Sequence, residues 1–106
     1  MLKWQVGDVT ITRIVEIETV GGTRFLLPHA TYDAIREIAW LQPHFANEVG
    51  KLKMSIHALV VEAPGRRIIV DTCIGNERQR DVAEWSNLQT TFMDDLKGAG
   101  FEPATI

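Results

Sequence analysis

The chain has 106 residues, 45% hydrophobic and 24% charged, with a net charge of −3 and an isoelectric point near 5.5. That composition describes at most one small globular domain and leaves no basic stripe for nucleic acid or an anionic membrane surface. The single Cys73 excludes an internal disulfide and a cysteine-rich zinc site. A free thiol, a start lacking the apolar core of a signal peptide, and no segment of membrane-spanning length together point to the cytoplasm.

Residues 9–18 are rich in Val, Ile and Thr and predict a strand entered through the Gly7-Asp8 turn. Val9, Ile11, Val15 and Ile17 fall on one side; Thr10, Thr12, Glu16 and Glu18 fall on the other, so the polar side is expected to be wet. Gly21-Gly22 then makes a flexible connection to Phe25-Leu26-Leu27. That apolar triplet reads either as a loop folded over the core or as a hydrophobic lip, carried by Phe25 and Leu26, over a pocket.

Thr31 can cap a helix over residues 32–42, which Pro43 ends because it cannot continue the hydrogen-bond ladder. Residues 44–53 are polar and predict an exposed connection. Residues 56–63 and 67–72 flank Pro64-Gly65, in which proline presets one turn dihedral and glycine takes the positive φ of the next. A two-residue turn places Leu59 opposite Val70 and His57 opposite Thr72. Both runs are apolar at nearly every position, which predicts a hairpin covered on both faces.

After an irregular stretch over 75–86, Asn87 can cap a second helix. Leu88, Phe92, Leu96 and Ala99 form its apolar stripe with Met93 alongside, and Gly98 or Gly100 supplies the left-handed stop. Residues 101–106 read as the approach to a further strand.

Few residues offer chemistry. Asp71 ends a hydrophobic strand, where a carboxylate needs hydrogen bonds. It either ties down the loop after it by accepting amides from residues 72–76, or orients a metal-binding loop from beneath. His29, His44 and His57 are too widely separated to form a local ligand pair. His29 and His44 read as loop residues and His57 as a hydrogen-bonded strand histidine. Cys73 reads as a buried, inert thiol; as a nucleophile it would need a nearby base and a depressed pKa, and His57 could approach it across the hairpin. The residues themselves supply neither a catalytic set nor a metal set.

The element order carries a resemblance. A strand with Gly7-Asp8-Val9, the strand over 55–63, the Pro64-Gly65 turn, Val70-Asp71-Thr72-Cys73-Ile74-Gly75-Asn76, and a helix closing in Gly98-Ala99-Gly100-Phe101 together resemble the first part of a metallo-β-lactamase-fold hydrolase of the lactonase-like bacterial branch. The resemblance spans nearly all of the chain, and residues 70–76 are its most specific part.

It implies an α/β (α+β) fold, the N-terminal half of an αββα sandwich, with a mostly antiparallel sheet and two helices in a single partial domain over 1–106. It also implies that Asp71 lies beneath a metal-binding loop carrying a His-x-His-x-Asp-His signature, which this sequence lacks. The cofactor, a divalent metal and specifically two zinc ions, is then expected in an intact family member and not in this chain. Catalysis by the chain alone is not expected. Its expected partners are the remainder of a parent protein or a second copy. The alternative is a small non-catalytic α/β module that associates through exposed strand edges.

Overall fold

In the computed structural model, which describes all residues from Met1 to Ile106, the Gly7-Asp8 turn joins two strands rather than merely opening one. Gly7 takes φ +59°, and β1 (Lys3–Val6) folds back on β2 (Val9–Val20) with Val6 opposite Val9 and Trp4 opposite Ile11. β3 (Lys53–Ala63) and β4 (Arg66–Val70) complete a four-stranded antiparallel sheet in the order β1-β2-β3-β4.

The chain divides into two compact units, Met1–Ile17 with Ile56–Ile106, and Glu18–Ser55. In the first, Pro64-Gly65 behaves as its chemistry requires. Gly65 has φ +74°, Ala63 faces Arg66 and Leu59 faces Val70, the expected register. The pairing of His57 with Thr72 does not form, because Asp71 enters the left-handed region at φ +68° and ends β4 at Val70.

The second helix starts later than expected. α2 spans Phe92–Gly98, with Thr91 and not Asn87 at its N-cap, and Asn87 itself sits at φ +52° in the preceding loop. The helix ends as glycine chemistry dictates: Gly100, φ +93°, donates to the Lys97 carbonyl and Phe101 donates to the Leu96 carbonyl. These are the two bonds of a Schellman cap, in which a left-handed residue satisfies the orphan carbonyls of the last turn. The cap brings Phe101 back onto Leu96. Both join Phe92 against Ile14, Ala58 and Val60 to form the core. Each of these large side chains contributes about 2 kcal/mol by leaving water. After Phe101 the chain closes in a 3₁₀ turn, Pro103–Thr105. Arg67 fastens it, donating to Thr105 Oγ1 at 2.7 Å while its guanidinium lies 5.2 Å from the centre of the Phe101 ring.

The burial of β2 reverses the expectation from its alternation. Thr12, Ile14 and Glu16 are the buried positions, whereas Ile11, Val15 and Ile17 are only half-buried. Ile14 has the same parity as Thr12 and Glu16, and it meets the α2 side of the sheet. The apolar residues of the opposite parity therefore lie on the other sheet face. Residues paired directly across strands share a face, so Trp4 joins Ile11, and Leu59 and Val61 join Val70 and Ile68. That face is uncovered: Trp4 is 44% exposed, Val6 64%, Ile68 48% and Val70 50%. The hairpin is thus covered on one face and not on both.

In the second unit, Thr31 caps a helix as expected, its hydroxyl accepting the Ala34 amide at 3.2 Å. That helix, α1, covers only Tyr32–Arg36. Ile38 leaves helical geometry at φ −97°, ψ 88°, and Ala39–Leu41 forms a separate 3₁₀ turn before a cis Gln42–Pro43 bond. Residues 44–53 are ordered rather than a loose connection: Asn47 Oδ1 accepts the amides of Val49, Gly50 and Lys51, and Ala46, fully buried, bridges to Leu52. No helix in the protein is long and apolar enough to cross a membrane.

Candidate functional site

The loop after β4 concentrates the unusual backbone of the molecule. Asp71, Cys73 and Gly75 have φ of +68°, +66° and +92°. A left-handed non-glycine residue costs about 1 kcal/mol or more, and such strain persists only where surrounding contacts hold it. Asp71 supplies one of those contacts, Oδ1 accepting the Cys73 amide at 2.7 Å. This is a side chain closing a turn on its own backbone two residues on. Asp71 is exposed and holds that amide alone among residues 72–76.

The deeper anchor comes from β2. Glu16 is 8% exposed, and its two carboxylate oxygens accept the amides of Ile74 at 3.0 Å and Gly75 at 2.9 Å. Two charge-assisted bonds offset the cost of burying the carboxylate. On the other side of the loop, Arg80 Nη2 donates to the Ile74 carbonyl at 2.5 Å. Asn76 closes the far end: its Oδ1 accepts the Thr90 amide, and its Nδ2 donates to the Thr90 carbonyl, both at 2.9 Å. Ser86 Oγ accepts from the Arg80 amide and donates to the Arg80 carbonyl. The segment from Asp71 to Thr91 thus has little regular structure and many specific polar ties.

Cys73 packs at the edge of the core and is half-buried. Burial, then the charges of Glu16 and Asp71, push its thiol from 9.0 up to about 11. A catalytic cysteine needs the opposite shift, so Cys73 stays a protonated thiol at neutral pH. His29 and His44 are exposed, and His57 is half-buried on β3. Nowhere do three His, Cys, Asp or Glu side chains converge at metal-binding spacing. The residues present do not fit the metal centre that the resemblance implies for an intact hydrolase.

Phe25 and Leu26 belong to the second unit, where the Leu26 and Leu27 amides both donate to the Thr23 carbonyl and close a turn. Phe25, Leu26 and Leu27 are all exposed, so the triplet does not fold over a core. A nearby open cleft of about 520 Å³ is lined by Arg24, Thr31, Tyr32, Asp33 and Arg36, without Phe25 or Leu26.

Two solved structures resemble the chain in fold. A probable metal-dependent hydrolase from Staphylococcus aureus matches 97% of the chain with a TM-score of 0.62 at 18% identity, and the match takes in 36% of that protein. The hydrolase AbOPH of the β-lactamase superfamily matches 98% of the chain with a TM-score of 0.56 at 17% identity, over 32% of its own length. The chain has part of the metallo-β-lactamase fold. It spans about a third of the length of these hydrolases. No family model and no curated protein matches the sequence.

Within this partial fold, Asp71 follows directly on β4, at the end of the hairpin. Glu16 was missed. Its one legible signal is a charged residue inside the run Ile14-Val15-Glu16-Ile17, where a carboxylate on a sheet needs a partner. That partner lies 58 residues away, beyond any local pattern.

Proposed function

We propose that this chain is the N-terminal part of a metal-dependent hydrolase of the metallo-β-lactamase superfamily that acts on lactones, esters or related acyl compounds. The observation that carries this reading is the one-sided sheet. α2 covers one face, the other face is apolar and open, and the matched hydrolases have about two thirds of their length beyond the shared region. In this reading the remainder of the protein packs on the open face and brings the metal ligands, for two zinc ions, and the water-activating group. A metal-bound water is the nucleophile such hydrolases need, and no residue cluster here supplies its ligands.

The chain itself contributes a scaffold and the 71–76 loop, with Asp71 supporting the metal-binding loop and Phe25 and Leu26 forming an apolar lip for substrate. A cytoplasmic location belongs to the same proposal and rests on the free Cys73. The test compares the chain alone with the same chain extended by the sequence its reading frame encodes beyond Ile106. The extended protein takes up two zinc ions and hydrolyses lactone or ester substrates, and the chain alone does neither. Stoichiometric zinc or turnover in the chain alone sinks the proposal, as does an extension with no histidine-rich loop.

A second reading is a non-catalytic module that binds a partner along a strand edge. It is favoured by a self-contained core in the first unit and by β4 lying at the edge of the sheet.

A further inference from the structure

We propose that the amides of Ile74 and Gly75 form a carboxylate-binding cradle whose resident ligand is Glu16, and that Glu16, more than Asp71, is the residue that positions the 71–76 loop. Two adjacent amides converge on one carboxylate, each oxygen taking its own donor at 3.0 and 2.9 Å. Positive φ at Cys73 and Gly75 belongs to the class of backbone that turns successive amides toward an anion. The ligand is covalently delivered by the most buried stretch of β2, beside the fully buried Ile14, so its position is set by the core. Asp71, exposed, reaches one amide only, that of Cys73.

The cradle therefore selects a compact carboxylate, and a free one such as formate can take the place of the side chain. The assignment rests on the proposed function only for its catalytic meaning, since the loop lies where that reading needs a firm support. The contacts themselves belong to this chain.

Amide hydrogen exchange, read residue by residue by NMR, tests the assignment. In the wild-type chain the Ile74 and Gly75 amides are protected. Glu16→Gln speeds their exchange about tenfold or more, because the neutral amide loses the charge and can accept at only one of its two ends. Asp71→Asn speeds Cys73 and leaves Ile74 and Gly75 unchanged. In Glu16→Ala, sodium formate restores protection and sodium chloride at equal ionic strength does not.

Unprotected Ile74 and Gly75 in the wild type overturn the proposal, as does an Asp71→Asn variant that frees them as much as Glu16→Gln. Formate acting no better than chloride in a folded Glu16→Ala variant overturns the cradle as a binding site. Protection at Val60 reports whether each variant is folded. If Glu16→Ala is not, the wild-type, Glu16→Gln and Asp71→Asn comparisons decide alone. Failure of the hydrolase reading shows separately, in zinc uptake and turnover of the extended protein.

Discussion

Thr12 sits fully buried beside Ile14, and its hydroxyl makes no hydrogen bond to another protein group. Thr12→Val keeps the shape and removes the polar atom, so it is expected to stabilise the chain by about 1 kcal/mol in urea denaturation. Cys73 is expected to react slowly with thiol reagents at neutral pH, its rate rising toward a midpoint near pH 11. The sign of its effect on stability follows. The unfolded thiol ionises near 9.0 and the folded one near 11, so between those values the folded state holds the extra proton. Its contribution is complete below pH 9 and is lost as pH rises toward 11, which denaturation midpoints across that window would record. Because Glu16 is one cause of the shift, Glu16→Gln is expected to lower the reactivity midpoint. An unchanged midpoint would remove Glu16 from that account.

At the scale of elements, two glycines separate conformational cost from steric cost. Gly50 has φ +99°, and a Cβ there would lie 2.3 Å from the Tyr32 carbonyl oxygen, an approach that rigid backbone cannot relieve. Gly100 has φ +93° with open space around it. Gly100→Ala is expected to cost about 1 kcal/mol, the left-handed penalty alone. Gly50→Ala should cost several-fold more, and thermal melts of the two variants check the ranking.

The elements also show what was legible from the chain. The Pro64-Gly65 pair announced the hairpin and its register because turn chemistry is local. The Thr31 cap was equally readable, but α1 ends early, since nothing in residues 37–41 signals the turn of backbone at Ile38. For the same reason the start of α2 was misplaced. Asn87 has the chemistry of a cap, yet it takes a left-handed conformation in the preceding loop, its amide donating to the Arg78 carbonyl. On β2 the alternation was clear, but the face that would be covered was not, because both faces carry apolar side chains. Alternation tells which residues sit together; it does not tell which side meets α2. Asp71 could be found from its place at the end of an apolar run, whereas the partners of Glu16 depend on tertiary structure alone.

Across the whole molecule, the open face of the sheet dominates the expected solution behaviour. Ile68 and Val70 stand half-exposed on it with Trp4 and Val6 beyond them, an apolar patch of the kind that soluble monomers avoid. The chain alone is expected to self-associate through this face, and the double variant Ile68→Lys with Val70→Lys is expected to sediment as a monomer while keeping its fold. Analytical ultracentrifugation with circular dichroism reads both outcomes. A wild-type chain that is monomeric and well folded at all concentrations would count against burial of this face by a second copy.

Trp4 gives that patch a built-in optical probe. Its indole emits at long wavelength while water reaches it and shifts to the blue once another surface shuts the water out. With Trp40 and Trp85 replaced by phenylalanine, a titration of emission colour against concentration would follow the occlusion directly, with no label attached.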